Sequence, residues 1–122
     1  MKIETPSQLR ELYKPPSERA QRKQLTRLDA HGQHFIALSP FVVLATSGSS
    51  GSDATPRGGD PGFVRLENET TLCLPDWPGN NRLDSLTNVL ENPAVGLLFL
   101  ISGIGETLCV GSVADIRTDD TL

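Results

Sequence analysis

One hundred and twenty-two residues suffice for one small domain and exclude two or three independent cores. With 37% hydrophobic residues, 21% charged residues and two Cys, the chain is too apolar for a disordered polyelectrolyte and too poor in thiols for a disulfide scaffold. The net charge of -4 divides unevenly: residues 1–34 hold seven Lys/Arg against four Asp/Glu, whereas residues 35–122 set four Arg against eleven acids, a body that repels a nucleic-acid backbone and makes nucleic acid an unexpected partner.

The first 34 residues read as helical. Thr5-Pro6-Ser7-Gln8 places Thr at an N-cap, Pro at the first helical position and Gln three residues after the cap, and Leu9, Leu12 and Tyr13 follow at helical spacing. This short helix should stop before Pro15-Pro16. A second, mostly polar helix is expected from Ser17-Glu18, with Leu25 and Leu28 as its apolar edge and Gly32 as its C-terminal stop; His31 and His34 are read as polar residues at its end.

From Pro40 onward the pattern changes to strands. Phe41 to Thr46 is a β-branched run, and Ser47 to Asp53 reads as a turn. Ala54-Thr55-Pro56-Arg57 runs into the punctuation of Gly58 to Gly62, Phe63 to Leu66 resumes extended chain, and Glu67-Asn68-Glu69 turns it back into Thr71 to Leu74. After the Pro75 to Asn80 loop, Asn80 or Asn81 can cap a helix carrying Leu83, Leu86, Val89 and Leu90 on one face, ended by Asn92-Pro93. Ala94 to Ile101 is almost uninterrupted apolar. Periodicity alone leaves a buried helix open there, but the flanking Pro and Gly favour a strand buried on both faces. Thr107 to Ile116 gives a last strand pairing back, and five or six short strands with one intervening helix suggest a small antiparallel barrel.

Cys73 and Cys109 are too far apart for a CxxC pattern, and their apolar neighbours predict two buried strand thiols rather than a disulfide. No apolar run approaches the roughly 20 residues of a membrane span, and the N-terminus lacks the apolar core of a signal peptide, so no membrane association and a cytoplasmic location are expected. There the Asn68-Glu69-Thr70 sequon has no glycosylation role.

The chain has no P-loop, GxGxxG or GxSxG, and no His after position 34 to complete a hydrolase triad or a histidine-based metal site; no metal is expected. Two segments carry more Gly, Asn and charge than a connection requires: Thr55 to Gly62, and Pro75 to Arg82 entering a helix. A helix N-terminus with Asn side chains, unpaired backbone N–H groups and an Arg suits a phosphate, because dipole, donors and full charge act together. An Asn cap followed by a solvated Arg is also ordinary protein surface.

The order of these pieces resembles the pyridoxamine 5′-phosphate oxidase-like flavoproteins. The resemblance covers roughly Phe35 to Ile116 and is strongest across Ala45-Thr46, Thr55-Pro56-Arg57-Gly58, Pro78-Gly79-Asn80-Asn81-Arg82 and Leu90-Glu91-Asn92-Pro93. No single piece is specific; their sequence and spacing together are. The resemblance implies a mainly β (α+β) fold, a six-stranded antiparallel split β-barrel with N-terminal helices and one helix between strands. It also implies a homodimer with FMN bound in a groove between subunits. Residues 1–34 would form an N-terminal helical segment and residues 35–122 a split-barrel FMN-binding domain, short at its C-terminal end.

Carried over residue by residue, Asn81 and Arg82 would be phosphate or ribityl ligands, with Asn80 and Ser85 as neighbouring donors. Thr55 and Arg57 would face the ribityl chain or the isoalloxazine. Many relatives read Ser-Arg-Lys where this chain has Asn80-Asn81-Arg82, which leaves the phosphate to Arg82 and one further Arg, with Arg57 the first choice. The chain also stops at Leu122, where relatives usually continue through a segment that helps bind substrate or complete the dimer, so it is expected to be either a fragment or a naturally short form.

Two functions compete at this point. One is an FMN-dependent oxidoreductase, whose cofactor carries the electrons and needs no protein nucleophile or metal cluster. No catalytic residue is assigned, the substrate is open between a pyridoxal-type compound, a quinone and another flavin acceptor, and no second phosphate site marks pyridoxamine phosphate itself. The other is a non-catalytic flavin-binding or interaction protein on a truncated split barrel.

Overall fold

The computed structural model describes residues 2–12, 27–76 and 84–118. Helix α1 (Pro6–Leu12) begins where the sequence places it. The Thr5 hydroxyl accepts the Gln8 amide at 3.1 Å, and the Gln8 side chain accepts the Thr5 amide at 3.1 Å, a reciprocal capping box. Its side chains are exposed, and Tyr13 lies outside the described residues, as does the expected second helix as far as position 26.

Helix α2 (Ala30–Leu38) corrects the role of Gly32. Asp29 is its N-cap, and the carboxylate accepts the Gly32 amide at 2.8 Å, so Gly32 belongs to the first turn of a helix that starts here rather than to the end of one that stops. His31 and His34 are therefore first- and second-turn residues, and the helix crosses position 34 to bury Phe35 and Ile36. Ser39, almost fully buried, follows it; its hydroxyl shares one proton between the carbonyls of Phe41 (2.8 Å) and Leu100 (2.7 Å) and ties the helix end to the sheet.

Six antiparallel strands follow, a mainly β arrangement with three helices among the described residues, in keeping with the α+β class. Strands β1 (Phe41–Gly48), β2 (Gly51–Gly58), β5 (Ala94–Leu100) and β6 (Thr107–Val113) form one sheet in the order β2-β1-β5-β6; β3 (Arg65–Asn68) and β4 (Thr71–Cys73) form a separate pair. The β1–β2 turn is tighter than Ser47 to Asp53 suggests. Pairing continues to Gly48 opposite Gly51, which leaves only Ser49 and Ser50 in the loop. β3 starts at Arg65 rather than Phe63, because Phe63 closes a turn onto the Asp60 carbonyl at 2.9 Å. In the same loop Gly62 has φ +80°, and a Cβ there would stand 2.8 Å from the Ala37 carbonyl oxygen, so both conformation and space require glycine. The last strand ends at Val113, short of Ile116.

The core lies on one face of the four-stranded sheet: Val42 and Leu44 of β1 and Leu97 and Phe99 of β5 meet Phe35 and Ile36 of α2 and Val64. The other face of β5 is not buried as expected; Ala94 is exposed and Gly96, Leu98 and Leu100 are half-buried. Cys109, opposite Leu98 on the edge strand β6, is exposed for the same reason, and Cys73 is half-buried. Both thiols are free, and only the expectation of deep burial fails. Among the described residues no helix is long and apolar enough to cross a membrane.

Helix α3 (Asp84–Glu91) lies against β1 and β2 and turns inward a face that overlaps the predicted one only in part. Ser85, Asn88 and Val89 are its buried residues, whereas Leu90 is 77% exposed; Leu83 lies outside the described residues. Of the described apolar positions Val89 is buried, Leu86 half-buried and Leu90 exposed, so the inward face mixes apolar and polar side chains.

Candidate functional site

Strand β2 is an edge strand, paired on one side only, and it can therefore hold Pro56 without losing a ladder bond inside the sheet. Alternation decides what it presents. Asp53, Thr55 and Arg57 stand opposite Thr46, Leu44 and Val42, the buried face of β1, so these three polar side chains share the inner side of the sheet while Ala54 and Pro56 take the outer side.

Each of the three meets a partner brought from farther along the chain. Asn88, 5% exposed, donates its two side-chain N–H groups to the Asp53 carboxylate at 2.7 Å and the Thr46 hydroxyl at 3.0 Å. Ser85, 4% exposed, exchanges a hydrogen bond with the Thr55 hydroxyl at 3.2 Å. The Arg57 guanidinium donates through Nη1 to Asp76 Oδ1 at 2.9 Å, with the two side chains 16% and 38% exposed. Asn88 and Ser85 are three residues apart and so share a helix face, and through them α3, which packs chiefly against β1, also reaches β2 by a polar seam.

The hairpin tip anchors the far end of this seam. Glu91 accepts the Ser49 amide at 2.6 Å and the Ser49 hydroxyl at 3.2 Å, contacts that hold its carboxyl below the usual carboxylate range, and Asn92 donates to the Ser47 hydroxyl at 3.1 Å. The approach is close enough that a Cβ on Gly48 would stand 2.5 Å from Asn88 Oδ1 and 2.7 Å from Glu91 Oε2. Helix and hairpin thus form one unit, and the end of the seam near Asp84 is the one where Arg57 and Asp76 lie.

Of the residues singled out in the sequence, Thr55, Arg57 and Ser85 come together on this seam, and Asn80, Asn81 and Arg82 lie outside the described residues. Sequence reasoning missed Asp53, Asp76, Thr46 and Asn88. Asp53 was legible as the third member of the alternation with Thr55 and Arg57, and Asn88 as the helical neighbour of Ser85; Asp76 lies in the charged Pro75 to Arg82 segment, but nothing local pairs it with Arg57, 19 residues away.

Chemically the seam offers hydroxyl donors and acceptors, the two carboxylates of Asp53 and Asp76, and one guanidinium. Thr55 and Ser85 hydrogen-bond one another rather than a base, so neither is an activated nucleophile. His31 meets Glu106 across 3.3 Å at an exposed site between α2 and the β5–β6 turn. Among the described residues no cluster of three or more His, Cys, Asp or Glu could hold a metal ion. The arrangement suits a ligand that is itself rich in hydroxyls and carries an acceptor for Arg57.

Residues 28–122 match the family model described as pyridoxamine 5′-phosphate oxidase. No curated protein and no solved structure matches the chain.

Proposed function

The chain belongs to the pyridoxamine 5′-phosphate oxidase family, a family of flavin-binding oxidoreductases, and from that premise we propose that it binds FMN along the β2–α3 seam and acts as an FMN-dependent oxidoreductase. The observation that carries the proposal is the polar inner side of an edge strand. Thr55 and Arg57 stand in the rows where β1 and β5 place Leu44 with Leu97 and Val42 with Phe99, and Thr55 meets Ser85 on a helix that buries polar residues. A strand loses apolar burial by such an arrangement, and hydroxyls with a guanidinium are the donor set that a ribityl chain and its phosphate require.

In this reading Thr55 and Ser85 orient the ribityl hydroxyls, Arg57 donates to the ribityl chain or the ring, and Asn80, Asn81 and Arg82 hold the phosphate. Bound FMN supplies the electron-transfer chemistry. The protein residues bind, orient and exclude water. The outer face of the sheet supports a homodimer. No charged residue occurs among its outward positions on β1, β2, β5 and β6, and Phe41, Cys109 and Val113 are exposed there, a surface that a second copy of the same chain can cover by two-fold pairing.

The test is direct. Purified protein, or protein reconstituted with FMN, should be yellow with flavin absorbance near ~450 nm, and NAD(P)H or another two-electron donor should bleach it. A protein that stays colourless after reconstitution would refute flavin binding. A yellow protein that no donor bleaches would make it the non-catalytic flavin-binding protein instead.

A further inference from the structure

Two carboxylates join helix α3 to the β1–β2 hairpin, and they are used differently. Glu91 spends both oxygens on the hairpin tip: Oε2 accepts the Ser49 amide at 2.6 Å and Oε1 the Ser49 hydroxyl at 3.2 Å. Asp53 spends one. Its Oδ2 accepts from Asn88 Nδ2 at 2.7 Å, and its Oδ1 has no partner among the described residues. Asp53 is exposed, whereas Asn88 is 5% exposed and directs its other N–H to the buried Thr46 hydroxyl. A buried amide thus fixes the direction of a surface carboxylate. The Thr46 hydroxyl satisfies the same amide without a charge, so packing of the helix does not require an anion at position 53.

Asp53 and Thr55 are two residues apart on one side of β2, about 7 Å along the strand, and Ser85 and Asn88 are one turn apart on α3. The Asp53–Asn88 pair is therefore the rung next to Thr55–Ser85. A ligand hydroxyl has a proton to donate as well as lone pairs to offer. Arg57 can take only the lone pairs, and Thr55 and Ser85 already share one hydrogen bond with each other. Asp53 Oδ1 is an acceptor for the proton, charged and held in place.

We propose that Asp53 is a ligand-binding residue whose Oδ1 accepts a hydroxyl proton from the ribityl chain, and that this charge-assisted bond makes the site select flavins with a hydroxylated side chain. The role rests on the FMN reading of the seam. In that reading the phosphate belongs to Asn80, Asn81 and Arg82, which precede α3, whereas Asn88 lies in the second turn of the helix. Asp53 accordingly meets the uncharged part of the ligand, and its charge strengthens a bond to a hydroxyl.

Riboflavin, FMN and lumiflavin, which carries a methyl group in place of the ribityl chain, are titrated by flavin fluorescence against the wild type and Asp53→Asn. Asn keeps the size of Asp53 and an acceptor oxygen for Asn88 and removes the charge. Riboflavin and FMN should both weaken by about tenfold in Asp53→Asn while lumiflavin changes by less than about twofold. Lumiflavin weakening with the other two would make Asp53 a structural residue of the groove and overturn the proposal. So would unchanged riboflavin, or FMN tightening alone, which would mean that the carboxylate acts on the phosphate; each of these leaves flavin binding intact. A wild type that binds none of the three overturns the FMN reading and this role with it. Should Asp53→Asn not fold, Asp53→Ser, which also offers Asn88 an acceptor, is titrated in its place with the same expectations.

Discussion

Helices α2 and α3 pack on the same side of the same sheet and bury different mixtures of residues. The first drives Phe35 and Ile36 into the core against β1 and β5; the second turns Ser85 and Asn88 inward beside Val89 and leaves Leu90 in solvent. A helix that exposes a leucine in order to bury an amide gives up apolar burial. Two hydrogen bonds from the Asn88 side chain offset part of that loss, since a buried amide is costly only when unpaired. One end of the sheet is thus organised for stability and the other around polar groups, and it is at the polar end that Thr55, Arg57 and Ser85 collect.

The contrast can be broken by deletion on each side. Ile36 is 0% exposed, so Ile36→Ala should cost roughly 2–5 kcal/mol in chemical denaturation through lost burial and the cavity left behind. Asn88→Ala should cost less, about 1–3 kcal/mol, because it strips donors from Asp53 and Thr46 without opening a large apolar void. The signature that distinguishes the two is elsewhere: Asn88→Ala should weaken flavin retention at temperatures where the variant is still folded, and Ile36→Ala should not. Equal effects of both on retention would mean that the two ends are not functionally different.

The smallest effect concerns the hairpin clamp. Glu91 has its carboxyl held down by the Ser49 amide, so its contribution to stability is present above the carboxyl's unfolded value and is lost as pH falls through the lower folded value. Glu91 is solvent-exposed, so the effect is modest. Glu91→Gln should flatten the acid limb of the stability curve below the ordinary carboxylate range, read as urea midpoints across a pH series. An unchanged acid limb would assign the titration to another group.

Much of the fold was legible because its signals are local. The capping box at Thr5 and Gln8 requires residues three apart, the β1 strand a continuous β-branched run, and the end of α3 the Asn92-Pro93 pair. Gly32 was misread for a physical reason: glycine marks helix ends in general, and the decisive feature was the Asp29 carboxylate three residues before it, which makes a start. Leu90 and Cys109 were misread because apolar residues in an apolar run were assumed to face inward, whereas the helix roll and the edge position of β6 set them outward. For the site, Thr55, Arg57 and Ser85 came from the resemblance and lie on one seam, while Asp53 and Asn88 were within reach of simple periodicity.

The amino-acid sequence by itself determined the order of the elements, most of their limits and the family, all of which depend on neighbours along the chain. Only the tertiary structure decided which sides of β2 and α3 face each other and what holds Arg57. Those contacts join residues 19, 30 and 35 positions apart, and they follow from strand register and helix roll, which the packing of the whole sheet settles and no local propensity encodes.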